Sequence, residues 1–169
     1  LDAMSHPQVI GDFCSTAATL ARFLPGEARD EVRAAYLRFL YDESIHASYF
    51  LGLRANRIDL RAQLQGKVAE DWSFEHPRRG AATWHYHLYL ASLGDAGAYA
   101  KLAAKIAATS SGNDATNLLT SLAELETDAA REIVRRYADD PRRADGPSGP
   151  AMRVSETVAH LLELHFSRR

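Results

Sequence analysis

The stretch Leu90-Ala91-Ser92-Leu93-Gly94-Asp95 decides the fold, because its pattern returns further along the chain. Its first four residues align with Leu122-Ala123-Glu124-Leu125, and Leu161 and Leu164 align with the two leucines of that second run. In the first two copies, a short polar turn is followed by a second, Ala-rich helix. A helical pattern that recurs in this way is typical of stacked helical repeats, which bind other molecules on their extended surfaces. The sequence therefore predicts a repeat array between residues 81 and 169.

The residues around this stretch continue the pattern of paired helices. The segment from Ala81 to Leu93 is apolar or aromatic nearly all round, which predicts a helix that is covered on more than one side. Asp95 and Thr127 are placed to cap the second helix of each pair, and Asn113 is placed to open the helix between them. The remaining predicted elements are an exposed loop at residues 139–150 and a last helix at residues 152–166.

Residues 1–80 carry helical patterns that do not align with the repeats. A first helix begins at Ser5 and is stopped by Pro25-Gly26, a second begins near Glu27 and can run as far as Ala55, and a third follows Asp59. The composition is rich in Ala and poor in Pro, which also favours helices. We therefore predict an all-α protein with one domain over residues 1–169, in which irregular N-terminal helices (residues 1–72) continue into the repeats (residues 81–169).

The segment from Ala81 to the C-terminus resembles HEAT repeats of the short bacterial type, which also occur in phycobilin lyase subunits. Leu90 to Asp95 resembles the helix-turn-helix junction of those repeats. The second copy departs from the family pattern, because Glu126-Thr127-Asp128 stands where the first copy has Gly94-Asp95. The resemblance implies a short right-handed α-solenoid, and it implies a non-catalytic module that binds a partner protein as an adaptor or an inhibitor.

Charge, cysteine content and apolar segments narrow the classes of function and location. The net charge of -2 argues against a protein that coats nucleic acid, which normally requires a strongly basic surface. Cys14 is the single cysteine, so an internal disulfide is excluded and a reducing compartment is indicated. The longest uncharged stretch, Gly80 to Gly94, is too short to cross a membrane, and the first residues lack the features of a secretory signal. We expect a bacterial, cytoplasmic protein without a membrane span or a cofactor.

The segment Tyr41-Asp42-Glu43-Ser44-Ile45-His46 contains the best candidate for a metal site. Glu43 and His46 have the Glu-x-x-His spacing, which places both side chains on one face of a helix. Ferritin-like di-iron proteins use two such pairs on two helices, and single Glu residues on two others. We find no second Glu-x-x-His in the chain, so we favour two other interpretations: Glu43 and His46 bond to each other, or the helix breaks here and exposes both.

The segment Trp84-His85-Tyr86-His87 is the best candidate for a binding surface. His85 and His87 are two positions apart, so on a regular helix they point in different directions and do not share one metal ion. Together with Tyr99, these residues predict an aromatic, histidine-bearing patch composed of Trp84, His85, His87 and Tyr99. The alternative is ordinary core packing of the helix that joins the two halves of the chain.

A group of arginines between residues 131 and 153 could contact phosphates or an acidic partner. The group comprises Arg131, Arg135, Arg136, Arg142, Arg143 and Arg153. Acidic residues are interleaved with them, namely Asp128, Glu132, Asp139 and Asp140. We favour a mixed, solvated surface over a dedicated site.

The function that these patterns favour is protein binding without catalysis, because no nucleophile elbow, phosphate loop, dinucleotide fingerprint or zinc-protease helix is present. A metal-dependent enzyme centred on Glu43 and His46 is the alternative from a different class. Nucleic-acid binding is a weaker alternative, and it would require five arginines to gather on one side: Arg29, Arg33, Arg54, Arg57 and Arg61. Self-association is compatible with a short array that exposes apolar ends.

Overall fold

Helices account for most of the residues that the structure describes, which confirms the all-α class. The computed structural model describes Thr16, Phe23 and residues 25–39, 47–68, 80–145 and 152–167. Within these ranges, eight helices and one pair of short strands follow one another along the chain. They are α1 (Gly26–Phe39), α2 (Ala47–Ala55), α3 (Arg61–Val68), α4 (Gly80–Ser92), α5 (Ala96–Ala108), α6 (Gly112–Ala123), α7 (Asp128–Arg135), β1 (Arg143–Ala144), β2 (Met152–Arg153) and α8 (Val154–Phe166).

The contacts of the chain fall into two compact units, Leu1–Gly94 and Asp95–Arg169. The boundary lies in the turn between α4 and α5, whereas the sequence placed the loop between its two groups of helices at residues 73–80. The first unit therefore holds α1 to α4, and the second holds α5 to α8 with the two strands. That the whole chain forms one domain stays a prediction.

The core of the first unit is built on aromatic rings. The ring centroid of Phe50 on α2 lies 5.4 Å from that of Tyr49, 5.2 Å from that of Tyr86 and 6.1 Å from that of Tyr89. Tyr36 on α1 meets Tyr49 in an edge contact at 5.2 Å. Edge and tilted arrangements are favoured because each ring is negative on its face and positive at its edge. Since α2 and α4 supply most of these rings, they form the most extensive helix pair of the unit.

Two buried tyrosine hydroxyls join this core to the backbone, one at the turn between α2 and α3 and one on α1. The Tyr89 hydroxyl accepts a hydrogen bond from the Leu60 N–H at 2.8 Å and donates one to the Ile58 carbonyl at 3.1 Å. The Tyr49 hydroxyl donates to the Tyr36 carbonyl at 3.0 Å. Buried backbone groups outside helices need such partners, because leaving one unpaired costs about 1–3 kcal/mol. The turn is therefore held in place by α4.

Three helices of the second unit begin with the same capping device. Asp95, Ser111 and Thr127 each accept a hydrogen bond, through a side-chain oxygen, from the backbone N–H three residues further on. These caps satisfy amides that the first turn of a helix leaves without a partner. Asp95 and Thr127 are the caps that the sequence predicted, while α6 begins at Gly112 after Ser111 rather than at Asn113. The three caps stand at equal intervals along the chain.

The turns before α5 and α7 have the same backbone geometry. Gly94 and Glu126, the residues before the caps, both lie in the left-handed region, with φ of 85° and 52°. The N–H of each donates to the carbonyl three residues earlier at 2.9 Å, Gly94 to Ala91 and Glu126 to Ala123. Glycine adopts this conformation freely, whereas a residue with a Cβ atom pays about 1 kcal/mol. The second copy therefore changes the residue at this position but keeps the conformation.

Each helix of the second unit packs on the next helix and on the one after it. The extensive pairs are α5 with α6, α6 with α7, α7 with α8, α5 with α7 and α6 with α8. Within the described part of the chain, α5 and α8 form no extensive contact. A closed four-helix bundle would bring its first and last helices together. The extensive contacts instead join α5 to α7 and α6 to α8.

The stretch that was predicted as a loop at residues 139–150 contains the first strand of a short hairpin. β1 and β2 pair in antiparallel fashion, with Arg143 opposite Arg153 and Ala144 opposite Met152. The β1 backbone lies directly against the start of α6, so closely that a Cβ atom on Gly112 would collide with the carbonyl of Arg143. The composition gave no sign of these strands, because two residues in each strand are too few for a β pattern.

Arg142 fastens the base of this hairpin to the end of α5. Its guanidinium donates to the Ile106 carbonyl at 2.9 Å and to the Thr109 carbonyl, and it also bonds the Asp140 carboxylate. These hydrogen bonds to Arg142 lower the pKa of the Asp140 carboxyl below its usual 3.8. The last carbonyls of a helix have no partners within the helix. Arg142 supplies partners for two of them and makes the hairpin part of the helical unit.

We expect the two left-handed turn residues to respond to substitution in opposite directions. Gly94→Ala should lower the free energy of unfolding by about 1 kcal/mol, because a Cβ atom is strained at this φ. Glu126→Gly should raise it by about 0.5–1 kcal/mol by removing the same strain, since its half-exposed contact with His165 contributes little. Urea unfolding of each variant measures both effects, and two changes of the same sign would contradict the shared geometry.

Gly112→Ala should be more damaging than an ordinary substitution of glycine in a helix. The added methyl group meets the Arg143 backbone, which cannot rotate away as a side chain can, so we expect a loss of roughly 1–3 kcal/mol of stability. Gly26→Ala is the matched control at the first residue of α1, where a Cβ atom would meet nothing within 4 Å. Thermal unfolding of both variants should separate them, and equal stability would refute the close approach.

Candidate functional site

The predicted metal ligands Glu43 and His46 lie outside the described residues, between the end of α1 and the start of α2. Their metal site and the enzyme that it would support therefore stay predictions. Among the residues that the structure does describe, no three His, Cys, Asp or Glu side chains come together as metal ligands would.

Trp84 and His85 lie at the N-terminal half of α4, and both are partly exposed. Their rings meet edge to face with centroids 5.6 Å apart. The Trp84 Nε1 and His85 Nδ1 atoms are themselves buried, and neither has a hydrogen-bond partner in the described chain. Buried polar atoms normally find partners, because an unpaired one costs about 1–3 kcal/mol. Because the protein itself covers both atoms, a bound molecule does not reach them in this conformation, although the partly exposed rings of Trp84 and His85 remain accessible.

The surroundings of His85 keep its imidazole neutral. Burial away from water, together with a smaller effect of the positive charge of Arg54 on α2, lowers the pKa of His85 from its usual 6.5 to about 4. At neutral pH the ring can therefore donate through one nitrogen and accept through the other. This is the protonation state that suits recognition of a neutral polar group rather than of an anion.

The two other residues of the predicted patch are buried. His87 is 3% exposed, and its ring packs on that of Tyr86 at 5.4 Å. Tyr99 on α5 is 9% exposed, and its hydroxyl forms a 2.8 Å hydrogen bond with the hydroxyl of Thr127, which also caps α7. In this conformation His87 and Tyr99 serve packing, so only Trp84 and His85 are positioned for contact with another molecule.

The arginines of the first unit gather only in part. Arg33 and Arg61 converge on Asp59, Arg33 through the Asp59 carbonyl at 3.2 Å and Arg61 through the carboxylate at 2.7 Å. Hydrogen bonds from Arg61, with a smaller contribution from Arg33, lower the pKa of Asp59 below 3.8. Arg57 is exposed in the adjacent turn, while Arg54 acts on His85. The side chain of Arg29 is outside the described residues, so the five-arginine face that nucleic-acid binding would need stays a prediction.

The arginines of the second unit divide into paired and unpaired groups. Three of them contact carboxylates that are close in sequence: Arg131 with Asp128 at 3.7 Å, Arg136 with Glu132 at 4.0 Å, and Arg142 with Asp140. These pairs agree with the mixed surface that the sequence favours. The guanidinium groups of Arg143 and Arg153 form no ion pair within the described residues, and the two residues face each other across the hairpin. The sequence could not reveal this pairing, because it depends on strand register.

A second group of exposed residues that the sequence did not mark lies on α6 and α8, which contact each other. It comprises Asn113 and Asn117 on α6, and His160 and Leu164 on α8. Leu164 is 58% exposed, whereas Leu161 on the same helix is 4% exposed. We call the exposed residues Asn113, Asn117, His160 and Leu164 the α6/α8 face.

No protein family, curated protein or solved structure matches the chain. Across the described ranges, every helix is too short or too polar to cross a membrane.

The low pKa of His85 predicts a loss of stability in mild acid. Between pH 6.5 and about 4, the unfolded chain binds a proton at His85 that the folded chain does not, so stability falls as the pH is lowered through this range and levels off below it. His85→Gln should reduce the pH dependence of unfolding between pH 7 and pH 4.5. An NMR titration of His85 with a midpoint near 6.5 would contradict the prediction.

Proposed function

We propose that this protein is a non-catalytic, HEAT-like repeat module of a bacterial cytoplasm that binds a partner protein. The observation that carries the proposal is the repetition of one turn geometry before α5 and α7. Gly94 and Glu126 share a left-handed backbone and the same hydrogen bonds, and each is followed by a side-chain cap. Repetition of a turn at fixed intervals is what distinguishes a repeat array from an ordinary helical bundle.

The packing of the second unit supports the same proposal. In a HEAT-like stack each helix contacts its neighbours and the equivalent helix of the next repeat, and the first and last helices stay apart. The helix pairs α5 with α7 and α6 with α8, together with the lack of an extensive α5 to α8 contact in the described chain, agree with that arrangement. A stack of this kind presents one layer of helices as a binding surface.

The contact surface that we propose lies on two equivalent helices of the second unit. Leu122 and Leu161 align α6 with α8, and the candidate contact residues are those of the α6/α8 face. Trp84 and His85 on α4 are a separate candidate surface of the first unit. A partner protein would cover Leu164 and thereby remove apolar surface from water, which is the main source of affinity at protein interfaces.

Affinity capture from a lysate of the source organism tests this proposal. We expect immobilised wild-type protein to retain one partner at near-stoichiometric amounts, and Leu164→Glu to lose it, because a carboxylate would be buried in the interface. Ala104→Glu is the matched control, since it adds the same side chain at an exposed position on α5. If no partner is retained, or if Ala104→Glu loses it equally, the proposal is wrong.

A further inference from the structure

The hairpin places two positive charges directly opposite each other. Arg143 on β1 and Arg153 on β2 are cross-strand partners, and both are exposed. The N–H of Val154 donates to the Arg142 carbonyl at 2.9 Å, so Arg142 and Val154 form a hydrogen-bonded pair of the ladder. Pair types alternate along antiparallel strands, and the next pair, Arg143 with Arg153, is therefore of the close, non-hydrogen-bonded kind, with Cα atoms about 4.5 Å apart.

This arrangement is unfavourable in the free protein. Like charges directly opposite each other destabilise a strand pair, and no described carboxylate lies within ion-pair distance of either guanidinium. The Glu156 carboxylate, three residues after Arg153, accepts the Arg153 backbone N–H at 2.8 Å. Within the described residues, no ion pair therefore relieves the repulsion between the two arginines.

The hairpin cannot easily separate the two arginines. Its base is tied to the end of α5 through the hydrogen bonds of Arg142, and its first strand lies against the start of α6 at Gly112. The Val154 and Ser155 N–H groups at the start of α8 donate to the Arg142 and Asp140 carbonyls at 2.9 and 3.2 Å. Both strands are therefore anchored to helices, and the backbone positions of the two arginines are fixed opposite each other on one face of the ribbon.

We infer that the Arg143–Arg153 pair is the docking site for an acidic segment of the partner protein, whose carboxylates bind both guanidinium groups. This inference rests on the proposed function and adds the chemistry of the partner. Charge complementarity carries it, since arginine binds carboxylates through two parallel hydrogen bonds. Asp139, Asp145 and Glu156 are also exposed near the pair in sequence, so we expect a short segment in which uncharged residues separate the carboxylates.

Fluorescence anisotropy with a labelled peptide of alternating glutamate and glycine tests the inference. We expect the wild-type protein to bind this peptide with an affinity that falls with salt, and to ignore the glutamine–glycine counterpart. The double variant Arg143→Gln/Arg153→Gln should bind about tenfold more weakly or worse. The double variant Arg135→Gln/Arg136→Gln removes the same charge from α7 and should bind within about twofold of wild type.

Arg153→Glu provides a second measurement, because its effect on Tm is expected in addition to the loss of peptide binding. It places opposite charges across the hairpin, so we expect Tm to rise by about 2 °C while binding of the glutamate peptide is lost. A fall in Tm would indicate that Arg153 stabilises the fold, and it would overturn the inference.

The remaining outcomes separate this inference from the proposed function. Absence of glutamate-peptide binding, equal weakening in both double variants, or tight binding of a single-stranded DNA oligonucleotide in place of the peptide would each overturn the docking site. A partner captured by wild-type protein and still retained by Arg143→Gln/Arg153→Gln would overturn the docking site but leave the proposed function standing. If no partner is captured at all, the proposed function fails, whatever the peptide does.

Discussion

The geometry of the short turns between helices is the constraint on which the second unit depends. At Gly94 and at Glu126 the chain enters the left-handed region, and the following residue immediately caps a new helix. A reversed backbone followed at once by a side-chain cap ends one helix and starts the next within a few residues. Short connections of this kind agree with the extensive contacts between helices that are close in the chain, such as α6 with α7.

The first unit is held together by a different kind of interaction. Its rings are contributed by α1, α2 and α4, and the hydroxyl of Tyr89 reaches from α4 to the turn between α2 and α3. A single side chain thus satisfies a buried donor and a buried acceptor that no helix could serve. Burial of the phenol raises the pKa of Tyr89 to about 12, so the hydroxyl keeps its proton, and with it the bond to Ile58, throughout the ordinary range of pH.

The helical class, the turns at Gly94 and Glu126 and the caps at Asp95 and Thr127 followed from the sequence because they depend on residues that are close in the chain. Apolar spacing and capping residues are local signals, and the structure uses them as expected. Burial was harder to predict. Trp84 and His87 belong to the same aromatic stretch of the sequence, yet only His87 is almost fully buried.

The hairpin was not predicted, because its strands are defined by contacts rather than by composition. In the sequence Arg142 cannot be told from an ordinary surface arginine, because its partners, the Ile106 and Thr109 carbonyls, are more than 30 residues away in the chain. A Gly-Pro-Ser-Gly-Pro run at residues 146–150 was the available signal for a turn. It indicates that the chain reverses, but it does not indicate which residues face each other afterwards.

The pattern of neighbour contacts in the second unit also has a consequence for how this unit opens. All extensive helix contacts join helices that are adjacent or next to adjacent in the chain, so few long loops must close before the contacts form, and folding of the unit is expected to be fast. The four helices are not equally protected. Within the second unit, α6 makes extensive contacts with α5, α7, α8 and β1, whereas α5 makes extensive contacts with α6 and α7. Amide hydrogens of α5 can therefore exchange with solvent through a partial opening, while those of α6 require disruption of the whole unit.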